Sequence, residues 1–474
     1  MSKYNVVIGI EIHLELNTQT KMFSPAKNSF HSSPNTNIDL IDLAYPGTLP
    51  LVNKESIIKA IKLAKALKME IDNEIHFDRK NYFYPDLPKG FQITQQFRPI
   101  GKNGKISFKI NDNDSEISIE RIHLEEDTAK QIHTTDGTFL DYNRAGVPLI
   151  EIVSNPVISS GEQAAKYVEN IAKISKYLNI SDAKLEEGSL RADINISLNE
   201  KGKPFGTKVE IKNINSLSNI KKAIELEIKE QEQKLDNGEK ILQQTKRFDD
   251  NLQQNIVMRE KTGAIDYRYF PEPNIPVIKL EKDFIENIQL PKLHWEWEEE
   301  LKSWKIKENY IEQLLNNIDW LLFFSKITFP DKEKVSKFFF SEIVPYIKEK
   351  GIEKLNIQIN DIENILLLEQ EGKISSKQSK ELVSYKENEN LSIEELIKKY
   401  NIIQIDNDSL IYEIIDKHIL NNPELLNEYI NRPERVMKFL LGQIMKETKG
   451  QANPQKANKM TLEYIENKIK GKNE

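Results

Sequence analysis

The sequence predicts an α+β protein followed by helical domains, and three observations carry that reading. Up to about residue 290, short runs of alternating apolar and polar residues are broken by Pro/Gly turns and a few helical stretches. Beyond Pro291 the strand patterns fade into amphipathic repeats of Lys, Glu and Leu/Ile that run to about residue 400. From about Asp406 the helical stretches are short, broken at Asn421-Asn422-Pro423 and at Gly450-Gln451-Ala452-Asn453-Pro454. A chain of 474 residues is too long for one ordinary core. The expected division is a mixed domain at 1–290, an all-helical domain at 291–405 and a small helical tail at 406–474.

In chain order, the first strand covers 5–16. Its Val6, Ile8, Ile10, Ile12, Leu14 and Leu16 share one face, and Glu11, His13 and Glu15 share the other, because successive side chains alternate. Ile57, Ile61, Ala64 and Leu67 recur at helical spacing and predict a helix over 54–69. Strands follow at 117–125 and 148–153, a helix at 161–178, and strands at 190–198 and 207–212. A helix over 217–235 stops at Asp236-Asn237-Gly238, where glycine supplies a left-handed terminator.

Composition narrows the function. With 38% hydrophobic and 30% charged residues the chain has enough apolar side chain to fill cores under a charged surface. It has no run of about eighteen apolar residues, so no membrane-spanning helix is expected. The opening MSKYNVVIGIEIHLEL passes directly into strand alternation, without the pattern of a signal or transit peptide, and a cytoplasmic location is expected. The absence of cysteine excludes disulfides, thiolate zinc sites and a cysteine nucleophile. A net charge of −7 argues against a surface generally coated by nucleic acid. Ile430 to Glu474 nevertheless carries ten Lys/Arg against five Asp/Glu.

Several strands offer chemistry. The Glu11-x-His13-x-Glu15 row suits a divalent cation, since carboxylates suit Mg²⁺ or Mn²⁺ and imidazole can join them. Such a row is also what a solvated sheet face presents. In Pro148-Leu149-Ile150-Glu151-Ile152-Val153 the carboxylate sits among apolar residues and needs a partner or a metal, with Arg144 as a candidate partner. Arg191, Asp193, Asn195 and Ser197 share one face of their strand, and His123, Glu125, Glu126 and Asp127 cluster at a strand end. Together these suggest an open sheet whose polar face holds a metal. The stretch from Phe77 to Gln92 mixes aromatics, cations and turn residues able to hold phosphates, ribose or an unstacked nucleotide. No GxxxxGK[ST], GxGxxG or GxSxG motif occurs, so any ATP site is of a less common type.

The motifs VIGIEIHLEL, FSPA, PNTN, DLAYPGTLPLVN, FDRKNYFYPDLPKGFQIT, HLEEDTAK, DYNRAGVPLIEIVS, KLEEGSLRADINIS, GTKVEIKNINS, RFDD and DYRYFPEP stand in one order along the chain, followed by EGKISSKQSKELV and FLLGQIMKETKGQANP. In that order and spacing the sequence resembles the B subunits of bacterial Asp/Glu-tRNA(Asn/Gln) amidotransferases, the GatB family, which end in a YqeY-like domain. Essentially the whole chain is covered. The resemblance implies a cradle-shaped N-terminal domain with an open, mainly antiparallel sheet. It implies ATP- and Mg²⁺-dependent phosphorylation of the side-chain carboxylate of misacylated Glu-tRNA(Gln) or Asp-tRNA(Asn), followed by displacement of phosphate by ammonia. It further implies a heterotrimer, with an amidase-type glutaminase subunit as the ammonia source and a small third subunit.

Carried over residue by residue, the resemblance assigns metal ligation to Glu11, His13, Glu125, Glu126 and Glu151, and catalysis to Glu11, His13, Glu126, Glu151 and Asp193. Arg79, Lys80, Lys89, Arg144 and Lys208 are expected to bind phosphate or substrate carboxylate. Arg432, Arg435, Lys438, Lys446, Lys449 and Lys456 are expected to meet the tRNA backbone. Some relatives hold zinc through cysteines near Met22 to Asn53; lacking them, this chain is expected to hold no structural zinc there. Phe30-His31-Ser32-Ser33 and Thr245-Lys246-Arg247 also depart from the family pattern, outside the proposed metal residues. Two other readings remain open on spacing alone. A non-catalytic tRNA-binding scaffold would show no tRNA-stimulated, Mg²⁺-dependent ATP hydrolysis, and a two-metal nuclease would degrade tRNA.

Overall fold

The structure is a computed structural model describing residues 3–29, 32–111, 113–260, 266–402, 408–448, 452 and 454–470. The chain divides into two compact units, Met1–His294 and Trp295–Glu474. The first is built on one large sheet. Its strands in chain order are β1 (Tyr4–Glu15), β2 (Glu70–Ile71), β3 (Gly101–Ile110), β4 (Asn113–Glu126), β5 (Pro148–Ser154), β6 (Leu190–Glu200), β7 (Val209–Lys212), β8 (Gln244–Asp249) and β9 (Gln254–Glu260). Across the sheet they run β9-β8-β7-β6-β1-β5-β4-β3-β2. Every neighbouring pair is antiparallel except β7 and β8. The α+β expectation with helical segments toward the C-terminus therefore holds.

Helices α1 (Lys54–Ala66), α2 (Gly161–Tyr177) and α3 (Leu217–Asp236) cover one face of the sheet. Each starts on a side-chain cap: Asn53, Ser160 and Ser216 accept from the backbone N–H three residues on, pairing a donor that the helix leaves free. α1 packs on β3 and β4, α2 on β3, and α3 on β6 and β9. Ile8, Ile10, Ile12 and Leu14 of β1 are buried with Val168, Ile171 and Ile174 of α2 and Ile220 and Ile224 of α3. Each such side chain contributes about 1.5–3 kcal/mol on burial. Gly161 lets α2 begin against α3, since a Cβ there would stand 2.7 Å from the Lys221 carbonyl oxygen.

β3 is one of the strands, with β2, β8 and β9, that the sequence pattern passes over; in β3, Gly101, Asn103 and Gly104 read as turn residues. Here glycine serves packing. A Cβ on Gly104 would stand 2.5 Å from Met69 Cγ, where the chain leaving α1 presses on the sheet. A smaller sheet of Asp78–Asn81, Phe91–Thr94 and Phe270–Pro271 lies outside the main one.

A buried ion-pair network ties α3 to β8. Lys246 Nζ reaches Glu227 and Glu230, each at 2.8 Å, and Gln231 donates to Glu227 while accepting from the Leu198 N–H. Lys246, Glu227 and Gln231 are each 1% exposed.

The second unit is helical. From His294–Ser303 to Ile393–Lys399 its helices bury an aromatic group that includes Phe324 and Phe339, with Tyr310 stacked on Phe340 at 4.2 Å. Helices Asp408–Asn421, Glu424–Asn431, Pro433–Glu447 and Pro454–Lys470 form the tail; the first break falls at the predicted Asn421-Asn422-Pro423, while Gly450, Gln451 and Asn453 of the second cluster lie outside the described residues. Ile411, Ile415, Val436, Leu440, Ile444 and Ile465 give the tail a core of its own. Among the described residues, no helix is long and apolar enough to cross a membrane.

Removing one partner of the buried network strands the other. Lys246→Met is expected to destabilise the chain by about 3–5 kcal/mol, and Lys246→Met/Glu227→Met to recover most of that loss. Urea unfolding followed by circular dichroism checks both, and equal midpoints for the single and double variants would contradict the assignment.

Candidate active site

The face of the sheet opposite the helices is polar, and strand register assembles it. His13 of β1 is paired with Glu151 of β5, and Glu151 with His123 of β4. Directly paired residues share a face, so these three side chains form one row across three strands. Glu125 follows His123 by two positions and points the same way. His13 Nε2 lies 3.5 Å from Glu151 Oε2 and 3.7 Å from Glu125 Oε1. One ligand atom from each of His13, Glu125 and Glu151 falls within 4.8 Å of the others. An imidazole nitrogen and two carboxylate oxygens at this spacing fit a divalent cation such as Mg²⁺ or Mn²⁺.

Electrostatics couples the row. Burial alone would lower His123, but Glu151 and Glu125 raise it to about 9. Burial opposes ionisation of Glu151 as well, yet His123 and His13 hold it well below the usual carboxylate range. Glu11 is raised by burial and by the charges of Glu151 and Asp193.

A cavity of about 620 Å³ opens on this row, lined by His13 and Glu125 with Lys80, Tyr82, Arg191, Asp193 and Lys212 among others. Its cations are held differently. Lys212 pairs with Asp193 and with Glu210, and Arg191 donates to Asp127 at 2.6 Å. Lys80 Nζ instead faces aromatic rings, 4.8 Å from the Tyr267 centroid and 5.8 Å from that of Tyr82. Beside this cavity Glu11 accepts from Asn195 Nδ2 at 3.0 Å and borders a smaller groove of about 280 Å³ with Phe205 and Lys208. Glu11 and Asp193 are register partners, so the two openings lie on either side of this residue pair.

The structure separates residues that the sequence groups. Glu126 has the opposite strand parity from Glu125. Its carboxylate is buried, pairs with Lys89 and accepts from the Ile93 N–H at 3.0 Å, so it stands outside the cluster. Lys89 is thereby committed to Glu126. Arg79 grips Glu272 through two hydrogen bonds of 2.6 and 3.1 Å and stacks on Phe91. Arg144 is no partner of Glu151; it donates to the Thr128 and Ala129 carbonyls and lies 3.6 Å from Asp127. Of the expected phosphate binders, Lys80 lines the larger cavity and Lys208 the smaller groove. Arg191 and Lys212, given no role by sequence, line the larger one. Their strand parity with Asp193 and Glu210 is the signal that identifies them.

In the tail, Arg432, Arg435 and Lys438 surround a groove with Pro433 and Glu434. Arg435 also pairs with Glu428, Lys456 with Asp408, and Lys446 lies in the last turn of its helix. Lys449 and His31 lie outside the described residues.

Comparison with known proteins shows the family. Residues 6–286 match the family described as the GatB/GatE catalytic domain, and residues 322–465 match the GatB domain. The chain belongs to the GatB family. Similar relatives include proteins of Mycoplasmopsis agalactiae, 54% identical, and Mycoplasma mobile, 52% identical. In both, the alignment covers 99% of this chain and 100% of the relative. A protein of Mesoplasma florum is 44% identical, with the same coverage. Each of the three is named as the B subunit of an aspartyl/glutamyl-tRNA(Asn/Gln) amidotransferase. In this member of the GatB family, strand parity divides the adjacent acids. Glu125→Gln is expected to weaken Mn²⁺ binding at least about tenfold, whereas Glu126→Gln leaves it near wild type. Titration of Mn²⁺ by electron paramagnetic resonance makes the comparison, and equal losses would remove the distinction.

Proposed function

We propose that this chain, as the B component of a tRNA-dependent amidotransferase, uses ATP to activate the side-chain carboxylate of glutamate or aspartate misattached to tRNA. The observation that carries the reading is the His13–Glu125–Glu151 cluster at a cavity edged by Lys80, Arg191 and Lys212. A carboxylate is a poor acceptor for ammonia because its leaving group would be an oxide. Transfer of the terminal phosphoryl group of ATP forms a carboxylate O–P bond and releases ADP. Ammonia then bonds to the acyl carbon, the C–O bond to phosphate breaks, and the nitrogen loses its proton, leaving the amide.

His13, Glu125 and Glu151 would hold Mg²⁺, which when bound offsets the negative charge of the phosphates. Lys80, which meets rings rather than a carboxylate among the described residues, is the cation most available to phosphate or substrate carboxylate. Lys212 and Arg191 are oriented by their acidic partners, so their positions are set before substrate arrives. Glu11 and Asp193 face each other across neighbouring strands, each bordering one opening, and can orient a donor lying in one toward an acceptor in the other. Ammonia would come from a separate amidase-type glutaminase subunit, with a small third subunit completing a heterotrimer. The location would be cytoplasmic. The tail, with its own core and a basic groove, would contact the tRNA backbone.

In the reconstituted complex supplied with ammonia, ATP and Glu-tRNA(Gln) or Asp-tRNA(Asn), Glu11→Ala and His13→Ala are expected to abolish amide formation while leaving the melting temperature largely intact. Wild-type amidation rates in both variants would defeat the reading. Deletion of 406–474 is expected to weaken tRNA binding and flatten its dependence on salt while ATP binding persists. Filter binding across a salt series checks this, and an unchanged salt slope would count against a tail contact.

A further inference from the structure

The register that sets Glu151 opposite His13 sets it equally opposite His123, so this carboxylate stands between two imidazoles. The two are not equivalent. His13 lines the cavity, while His123 is 5% exposed and is not among the residues lining it. His123 Nε2 lies 3.3 Å from Glu151 Oε2 and 3.6 Å from Glu125 Oε2. Its Nδ1 is buried with no hydrogen-bond partner. The polar edge of the ring is therefore directed at the two carboxylates of the cluster. Thr94 Oγ1 donates to the same Glu125 oxygen at 3.3 Å, leaving Glu125 Oε1 on the side of His13.

We propose that His123 is a positioning residue, holding Glu125 by the oxygen turned away from His13 and Glu151 by the oxygen that also faces His13, so that the two carboxylates converge with His13 Nε2 on a divalent cation. The inference rests on the reading of His13, Glu125 and Glu151 as ligands. Two carboxylates brought this close repel each other, and each is free to rotate about its terminal torsion. A buried imidazole at ion-pair distance from both opposes both tendencies, and such partners of the ligands commonly change metal affinity about 10–100-fold.

The test uses the full chain, Mn²⁺ as the probe and three variants. The side-chain amide of His123→Gln reaches as far as Nε2 of the original ring, that of His123→Asn ends where Nδ1 stands, and His123→Leu donates nothing. Mn²⁺ titration by electron paramagnetic resonance is expected to show affinity about tenfold weaker for Asn and Leu, with Gln within about threefold of wild type. In the reconstituted complex the Mg²⁺ concentration for half-maximal amidation should rise in the same order, with kcat at saturating Mg²⁺ little changed. A merely space-filling His123 would instead give lowered melting temperatures with unaltered Mn²⁺ affinity. That result, or a loss in Gln equal to that in Asn, overturns the proposal. His13→Ala separates the two levels of the reading. If it binds Mn²⁺ as wild type does, the ligand assignment falls and this inference with it. If it loses Mn²⁺ while His123→Asn keeps it, only the role of His123 falls.

Discussion

The arrangement depends on the register of three adjacent strands. β1, β5 and β4 are pinned by apolar residues that bury toward the helices, so a slip of one residue would turn Ile8, Ile10 and Ile12 outward and bury Glu11 and His13. The hydrophobic effect thus sets the positions of polar groups that take no part in it. Once Ile152 and Ile150 are committed inward, Glu151 has to face outward, opposite one histidine on each side. Strand backbones place side chains more exactly than loops do, which suits a cluster whose ligand atoms must converge within a few ångströms.

The outward row is costly if left unpaired, and the structure answers that cost by interleaving charge. Glu151 has two histidines, Asp127 has Arg191 and Arg144, and Asp193 has Lys212. On the helix side, Glu227 has Lys246. These pairs differ in availability. Those at β8, and the Lys89–Glu126 pair by the small sheet, are closed off and serve packing. Those around the cavity are more open, with Arg191 and Lys212 lining it. The difference follows from position: pairs under α3 are covered, whereas His13 lines the cavity.

Much of this was legible in the sequence, and the part that was not has a physical cause. Alternation in β1 displays the inner and outer faces directly, and Ile57, Ile61, Ala64 and Leu67 at helical spacing disclose α1. β3 was hidden because glycine answers the pressure of Met69 rather than a turn, a tertiary demand that local pattern cannot express. Within the site, parity alone distinguishes Glu125 from Glu126 once His123 is known to face outward. The fates of Arg79 and Lys89 were beyond reach, because their partners Glu272 and Glu126 lie 193 and 37 residues away. A cation that looks available for phosphate in one dimension can be fully engaged in three.

Lys80 shows the converse. It sits one residue from Arg79 on the same short strand, and alternation sends the two side chains in opposite directions. Arg79 turns to Glu272 and Phe91, which anchors strand Phe270–Pro271 against Asp78–Asn81. That anchoring carries Tyr267 and Tyr269 with it, the two rings 6.0 Å apart and Tyr267 facing the Lys80 ammonium. Aromatic faces attract a cation without neutralising it. Burial would lower the Lys80 ammonium, yet Glu125 and Glu151 hold it above its ordinary value, so it stays charged at the cavity wall. One strand therefore uses its structural arginine to anchor the aromatic wall that its neighbouring lysine faces.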